Sequence, residues 1–195
     1  MVARDEVSGD VVSVAQWSVP LPLDGFQGNR GREGEDVERE NTGKVEETVQ
    51  EKEEREEREA FDEEGYLNSL PPTCNHALIF EFTTRLRVLR ERILQGAPHF
   101  LLENLATHPR HREQGLATRL MRNALDMADK RSLVVYLETG EENKARGLYE
   151  RLGFKEKGTE RIALKRFASR EERERLEVGD VHVVIGYVRL PSKTT

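Results

Sequence analysis

The sequence predicts a mixed α/β domain, and three observations lead to this prediction. Residues 133–137, LVVYL, form a continuous apolar segment bounded by charged residues, which is typical of a strand buried on both faces. An apolar strand at 100–107 and an amphipathic helix at 116–130 precede it, an order typical of a right-handed βαβ crossover between parallel strands. β-Branched segments at 10–19 and 181–190 add strands, so we expect one mixed sheet with flanking helices.

The other elements are bounded by turn and capping residues. The strand at 10–19 leaves room for only a short strand before it. The remaining predicted elements are an amphipathic helix at 75–95 that stops at Gly96, a short helix at 141–152 that stops at Gly153, a strand starting at Phe154, a strand near 160–164, and a helix with a capping box at Ser169.

Charge divides the chain into three parts. Residues 31–64 carry 16 Asp and Glu against 6 Lys and Arg, a net charge of −10, whereas the whole chain has a net charge of −6. The rest is therefore basic, which suits an anionic ligand. We expect 1–20 to supply strands of the sheet, 21–70 to be an acidic insert that is disordered or a solitary charged helix, and 71–195 to form the body. The insert could recruit a basic partner, although a solvated surface is the simpler interpretation.

Cysteine content and hydropathy limit the environment of the protein. The single cysteine, Cys74, excludes an internal disulfide and fits a reducing compartment. No apolar segment approaches the roughly 18 residues of a membrane span, and the N-terminus lacks an apolar signal region. We therefore expect an intracellular protein, cytoplasmic or nuclear, without membrane contact. The arginines of the predicted helix at 75–95 lack interleaved aromatic residues, so nucleic acid is not an expected partner.

The segment between the strand at 100–107 and the helix at 116–130 has the composition of an anion site. Its R-x-x-G-x-A pattern, from Arg112 to Ala117, places Gly115 at the start of the helix. Backbone N–H groups at a helix N-terminus have no intrahelical acceptor, and a glycine lets a phosphate oxygen approach them. A glycine that only eases the helix entry is the competing interpretation.

A second segment, about thirty residues later, forms a recognisable pair with this pattern. LATHPRHREQGLATRLM together with LETGEENKARGLYERLGF resembles the GCN5-related N-acetyltransferase (GNAT) superfamily, which combines a Q/R-x-x-G-x-G/A loop with an N-x-x-A-x-x-L-Y-x-x-x-G-F helix. Arg146 stands in the usual alanine column, and Ala145 matches one position away from the common spacing. The resemblance covers about residues 98–155, and the strand GDVVSVAQW looks like the third strand of the family's sheet.

The resemblance implies a GNAT-like mixed sheet with splayed central parallel strands, flanked by helices. It further implies that acetyl-coenzyme A lies in the V-shaped opening between 100–107 and 133–137, with its pantetheine arm on the first strand and its pyrophosphate on the turn. The cofactor-binding residues so implied are Leu105, Ala106, Thr107, Arg112, Glu113, Gln114, Gly115, Leu116, Ala117, Thr118 and Asn143. No metal is expected, because the sequence has no Cys/His cluster to hold one.

Two residues are the main candidates for catalysis, and two histidines are weaker ones. Tyr149 occupies the general-acid position of the family, and the alternative is a packing residue on an amphipathic helix. Glu103 interrupts an apolar strand; burial would raise its pKa and suit it to accept the proton of an attacking amine. It could instead be a solvated residue or contact the acceptor. His99 and His108 are weaker candidates for the base.

These implications predict an N-acetyltransferase that moves an acetyl group from acetyl-coenzyme A to a primary amine of a small molecule or peptide by direct attack. Only Met1–Gly9 precede GDVVSVAQW, whereas the family begins with a strand and two helices that wall the acceptor groove. We therefore expect these elements to be absent. The alternative is a catalytically impaired acyl-coenzyme A-binding or interaction module that lacks a complete acceptor site.

Overall fold

The computed structural model describes residues 1–20 and 63–192. The predictions for 21–62, including most of the acidic insert and its partner, lie outside the described residues. The chain divides into two compact units, one made of Met1–Leu23 with Ala77–Thr195 and the other of Asp24–His76. In chain order the elements are β1 (Val2–Arg4), β2 (Val11–Ser18), α1 (Glu63–Ser69), α2 (His76–Leu94), β3 (His99–Thr107), α3 (Leu116–Lys130), β4 (Val134–Gly140), α4 (Arg146–Arg151), β5 (Lys155–Ile162), α5 (Arg170–Arg175) and β6 (His182–Arg189).

The strands form a six-stranded mixed sheet in the order β1-β2-β3-β4-β6-β5. The central pair, β3 and β4, is parallel, and every other neighbouring pair is antiparallel. A parallel pair needs a crossover, and α3 supplies it. The mixed α/β fold predicted from the sequence is confirmed.

The two central strands separate soon after they meet. Their pairing extends only from His99 opposite Val134 to Leu102 opposite Leu137, although both strands continue beyond these residues. β3 goes on pairing with β2, and β4 goes on pairing with β6 as far as Gly140. The expected splay of the central strands is therefore present, and it begins directly after Leu102 and Leu137.

A β-bulge in β3 lies at the start of the splay. Gln16 pairs with Asn104 and Trp17 with Leu102, so Glu103 is an extra residue without a partner on β2. A bulge bends its strand and increases the local twist. β3 can therefore follow β2 while it turns away from β4.

The sheet is covered on both faces. On one face, α3 and α4 pack against the larger core cluster, in which Phe100 and Leu102 of β3 lie beside Val135 and Leu137 of β4. On the other face, Leu94 of α2 packs on a smaller cluster. The sheet residues of the smaller cluster are Leu101, Tyr136 and Val188. Burial of each such side chain contributes about 1.5–3 kcal/mol, so the central strands are fixed from both sides up to the splay.

Two glycines allow α2 to approach the sheet closely. A Cβ atom on Gly186 of β6 would lie 2.7 Å from Cδ1 of Ile93 and 2.9 Å from the hydroxyl of Tyr136. A Cβ atom on Gly158 of β5 would lie 3.3 Å from the nearest atom of Leu89. The helix is also held by a salt bridge, in which Nη2 of an arginine on α2 lies 3.0 Å from the carboxylate of Glu138 on β4.

Some element boundaries differ from those predicted. The helix predicted at 141–152 begins only at Arg146, because the side chain of Asn143 builds a turn ahead of it. The side-chain amide of Asn143 donates to the Thr139 hydroxyl over 2.7 Å, and the side-chain carbonyl of Asn143 accepts from the backbone N–H of Ala145 over 2.9 Å. Asparagine side chains compete in this way with helical hydrogen bonds. The two strands predicted after Gly153 form one strand, β5.

The close contact at Gly186 predicts a stability effect. Gly186→Ala should lower the free energy of unfolding by about 1–3 kcal/mol, because the methyl group would overlap Ile93 and a buried tyrosine hydroxyl. Gly158→Ala is the matched control, and its effect should stay within about 1 kcal/mol. Urea denaturation of both variants measures the difference. An unchanged or higher stability of Gly186→Ala would contradict this packing.

Candidate functional site

A crevice of about 830 Å³ lies beyond the point where β3 and β4 separate, between the end of β3 and the segment that follows β4. Its walls come from the end of β3, the turn before α3, the turn after β4, and α4. Of the cofactor residues predicted from the sequence, all but Gln114 line this crevice. The structure therefore brings the predicted set together, while its binding role remains a prediction. His111, Lys144, Ala145, Leu148 and Arg151 also line the crevice and were not predicted.

The last part of β3 presents to the crevice an edge that no described strand covers, although the Thr107 carbonyl accepts a hydrogen bond from Nε of Arg112 over 3.4 Å. Beyond Leu102, β2 pairs with one edge of β3, and no strand among the described residues pairs with the other. The residues concerned include Leu105, Ala106 and Thr107, which line the crevice. An unpaired edge offers backbone N–H and C=O groups to any extended chain that lies alongside it.

The N-terminus of α3 lies at the mouth of the crevice with its backbone donors exposed. Gly115 is the N-cap with φ +74°, and no side chain caps the helix. The first intrahelical bond runs from Arg119 to the Gly115 carbonyl over 3.0 Å. The N–H groups of Leu116, Ala117 and Thr118 therefore precede all intrahelical acceptors, and the helix dipole adds positive potential there.

The space in front of Gly115 is open. A Cβ atom at this position would have no protein atom within 4 Å, so packing within the protein does not explain the glycine. The left-handed φ does favour glycine, because a Cβ atom in this conformation costs about 1–2 kcal/mol. A cradle of backbone donors with open space before it fits a diphosphate group.

Asn143 lies in the crevice wall, but both ends of its side chain are used within the protein. Its amide group bonds to Thr139 and its carbonyl to the backbone of Ala145. Its observed role is to shape the turn that carries α4. A direct contact with a cofactor remains a prediction.

Tyr149 is a buried residue at the apex of the splay. It is 5% exposed, and its ring lies 6.1 Å from that of Phe154 and 6.3 Å from that of Tyr187. Tyr187 pairs with Leu137, the last residue of β4 that pairs with β3. Burial raises the pKa of Tyr149, so the hydroxyl keeps its proton at neutral pH. The packing role is thus observed, and the catalytic role remains a prediction.

A polar network beside Tyr149 was not predicted from the sequence. Nε of Arg146 donates to the Tyr187 hydroxyl over 3.1 Å, and its Nη1 donates to the Glu141 carbonyl over 2.9 Å. The Tyr187 hydroxyl in turn donates to Glu150 over 3.4 Å. Arg146 therefore ties α4 to β6. The sequence indicated that this position is unusual, because Arg146 stands where the family motif that the segment resembles has alanine.

Glu103 is an exposed residue, as in the alternative of a solvated side chain. It lies at the bulge, one residue beyond the last β3–β4 pair, and accepts a hydrogen bond from the hydroxyl of Ser18. Its position beside the apex keeps it a candidate for the base, although without the burial that suggested it.

The two histidines have local hydrogen-bonding partners. The Nδ1 atom of His99 lies 2.8 Å from the carbonyl oxygen of Ala97, at the end of β3 remote from the splay. The Nδ1 atom of His108 accepts from the backbone N–H of Arg110 over 3.3 Å. Neither histidine lines the crevice.

Within 1–20 and 63–192, no three His, Cys, Asp or Glu side chains are grouped so that they could hold a metal ion. None of the helices described has the length and apolar character needed to cross a membrane.

Several solved structures resemble the chain. A polyamine N-acetyltransferase of Drosophila melanogaster is 14% identical with a TM-score of 0.51, over 97% of this chain and 73% of that one, a likeness that concerns the fold. The ribosomal-protein-S18-alanine N-acetyltransferase of Escherichia coli is 25% identical over 50% of this chain and 57% of that one, with a TM-score of 0.38.

A third solved structure comes from Bacillus anthracis. It is assigned as a streptothricin acetyltransferase, was crystallised with acetyl coenzyme A, and is 23% identical over 48% of this chain and 50% of that one, with a TM-score of 0.37. The chain spans about half the length of the B. anthracis protein and of the E. coli enzyme. No curated protein matches the sequence.

The sequence also matches a family model. The model of the acetyltransferase (GNAT) family matches residues 48–154, which is more than half of the chain. The matched range contains α2, the central parallel strands and both walls of the crevice, and it ends at Phe154. The chain therefore belongs to the GNAT acetyltransferase family.

Proposed function

We propose that the protein is an N-acetyltransferase that binds acetyl-coenzyme A in the crevice between β3 and β4 and acetylates a primary amine of a small molecule or peptide. One observation carries this proposal: an unpaired strand edge leads from the apex of the splay to an uncapped helix N-terminus. An extended polar chain that ends in a diphosphate fits this sequence of donors. When bound, acetyl-coenzyme A supplies an activated acyl group as a thioester.

The residues that would hold the cofactor follow from the walls of the crevice. The backbone of Leu105–Thr107 would bind the amide groups of the pantetheine arm as a neighbouring strand does. The N–H groups of Leu116–Thr118 would bind the pyrophosphate. These two contacts orient the acyl end toward the apex, beside Leu102 and Leu137.

Tyr149 would act on the departing sulfur. Its ring packs beside the apex, and its raised pKa keeps the hydroxyl protonated and able to donate a hydrogen bond. Complete proton transfer to a thiolate, whose conjugate acid has a pKa of about 8.5, is uphill from a tyrosine of ordinary pKa, about 10, and the raised pKa of Tyr149 makes it less favourable still. The expected contribution is therefore a hydrogen bond that stabilises negative charge on sulfur as the bond to the acyl group breaks.

Glu103 would serve the acceptor side. A primary amine must lose a proton to attack, and a carboxylate can accept that proton directly or through water. Gln16 and Ser18 alternate along β2 with Ala15 and Trp17, whose side chains pack in the α3-side core. The hydrogen bond from Ser18 thus reaches Glu103 from the opposite face of the sheet.

The cofactor and the acceptor would therefore approach from opposite faces. The crevice is lined by residues of α3 and α4, whereas Glu103 is exposed beside Asn104 and Gln16, whose side chains bond to each other over 2.9 Å. We propose that the acceptor amine arrives on this second face. Because Tyr149 is packed as a core residue, an acyl-coenzyme A-binding module without turnover is the second candidate.

The helix cradle predicts a thermal shift. Acetyl-coenzyme A at about 100 times its Kd should stabilise the protein by about 2.7 kcal/mol, which raises Tm by about 5–10 °C for a chain of this size. Gly115→Glu should abolish the shift, because a carboxylate would occupy the space before the helix N-terminus.

Two control variants show whether Gly115→Glu acts by blocking the site or only by adding backbone strain or charge. Gly115→Ala adds a methyl group at the same left-handed φ and should keep most of the shift, since no protein atom lies within 4 Å. Gly179→Glu adds the same charge outside the crevice and should behave as the unmodified protein. If acetyl-coenzyme A does not raise the Tm of the unmodified protein, both candidate functions fail.

Turnover separates an enzyme from a binding module. Release of free thiol from acetyl-coenzyme A with a panel of diamines, polyamines and peptides should identify an acceptor. Tyr149→Phe should then lower kcat by about 10²-fold or more, while the KM for acetyl-coenzyme A stays nearly constant. Tyr136→Phe removes a buried hydroxyl on the other face and is the matched control. Unchanged kcat in Tyr149→Phe would remove this residue from the mechanism.

A further inference from the structure

The α4 wall of the crevice carries three residues that the proposed function does not yet use. Lys144, Leu148 and Arg151 all line the crevice. Leu148 and Arg151 are three residues apart in α4 and so lie on one face of the helix, whereas Lys144 lies in the turn before it. The wall opposite the α3 turn, formed by this turn and α4, therefore carries two cations.

The side chain of Arg151 lies back along its own helix. Its Nη1 atom is 3.4 Å from the position that a Cβ atom on Gly147 would take. The charge of Arg151 is thereby carried back toward the start of α4, which is the end of the helix that Lys144 precedes.

Neither cation is neutralised by the part of the chain that the structure describes. Lys144 and Arg151 have no salt bridge or hydrogen bond to a side chain in 1–20 or 65–192, whereas Arg90 and Arg189 are each paired with a carboxylate. The lining of the crevice holds three cations, the third being that of Arg112, and one carboxylate. Unpaired cations in a concave wall focus positive potential on any anion that enters.

The charges of coenzyme A identify what these cations would bind. The pyrophosphate is accounted for by the backbone donors of Leu116–Thr118, which lie on the other wall. The remaining anion is the 3′-phosphate on the ribose, a phosphomonoester of charge about −1.5 to −2 at pH 7. Guanidinium and ammonium groups form strong charge-assisted hydrogen bonds with such a group.

We propose that Lys144 and Arg151, with Arg151 laid over Gly147, bind the 3′-phosphate of coenzyme A and make the protein prefer coenzyme A to 3′-dephospho-coenzyme A. This inference rests on the proposed function, because it assumes that the crevice holds the cofactor. In this proposal, the α3 wall binds the pyrophosphate, which both nucleotides contain. The α4 wall binds the 3′-phosphate, which only coenzyme A contains.

Calorimetric titration with coenzyme A and 3′-dephospho-coenzyme A tests the inference without any acceptor. The unmodified protein should bind coenzyme A about tenfold or more tightly than the dephospho form, as expected for one or two charge-assisted bonds. Lys144→Ala and Arg151→Ala should each weaken the binding of coenzyme A severalfold and leave that of the dephospho form within about twofold. Lys157→Ala, which removes an exposed cation outside this crevice, is the matched control and should keep the preference.

The outcomes separate this inference from the proposed function. If neither nucleotide binds, the proposed function fails and this inference fails with it. If both bind equally well to the unmodified protein, the cofactor site stands and the inference is overturned. If Lys144→Ala and Arg151→Ala weaken the binding of both nucleotides to the same extent, the two cations act on the pyrophosphate. This result would also overturn the inference.

Discussion

The structure depends on one constraint, which is that the central parallel strands stop pairing after Leu102 and Leu137. The bulge at Glu103 releases β3 from β4 while the hydrogen bonds of β3 to β2 continue. Packing of helices on both faces fixes the strands up to this point, so the separation is held in place. The unpaired edge of β3 follows from where the pairing ends, and Tyr149 and Glu103 both lie close to this point.

The separation gives the two faces of the sheet different chemistry. Beside α3 and α4, the crevice offers backbone donors and cations, which suit a long anionic cofactor. On the other face, α2 is seated on the two glycines of β5 and β6, and Glu103 lies exposed with polar neighbours. The proposed reaction would make use of this arrangement, because neither substrate would then block the entry of the other.

Much of this could be predicted from the sequence, because it depends on local patterns. The apolar segment at 133–137, the stripe of α3 and the R-x-x-G-x-A turn each identify an element or its end. Other features depend on tertiary contacts. The exposure of Glu103 follows from a bulge that the sequence does not mark, and the short α4 follows from two side-chain bonds of Asn143. Lys144 and Arg151, the cations of the crevice wall formed by α4 and the turn before it, were not predicted.

Amide hydrogen exchange with and without acetyl-coenzyme A tests the central claim most directly, since it reads the backbone donors themselves. The account predicts that the cofactor slows exchange at Leu105–Thr107 and at Leu116–Thr118, while amides of α2 on the opposite face change little. Slower exchange at α3 alone would mean that the strand edge is not used. Binding without protection at either segment would contradict the assignment of the splay as the cofactor site.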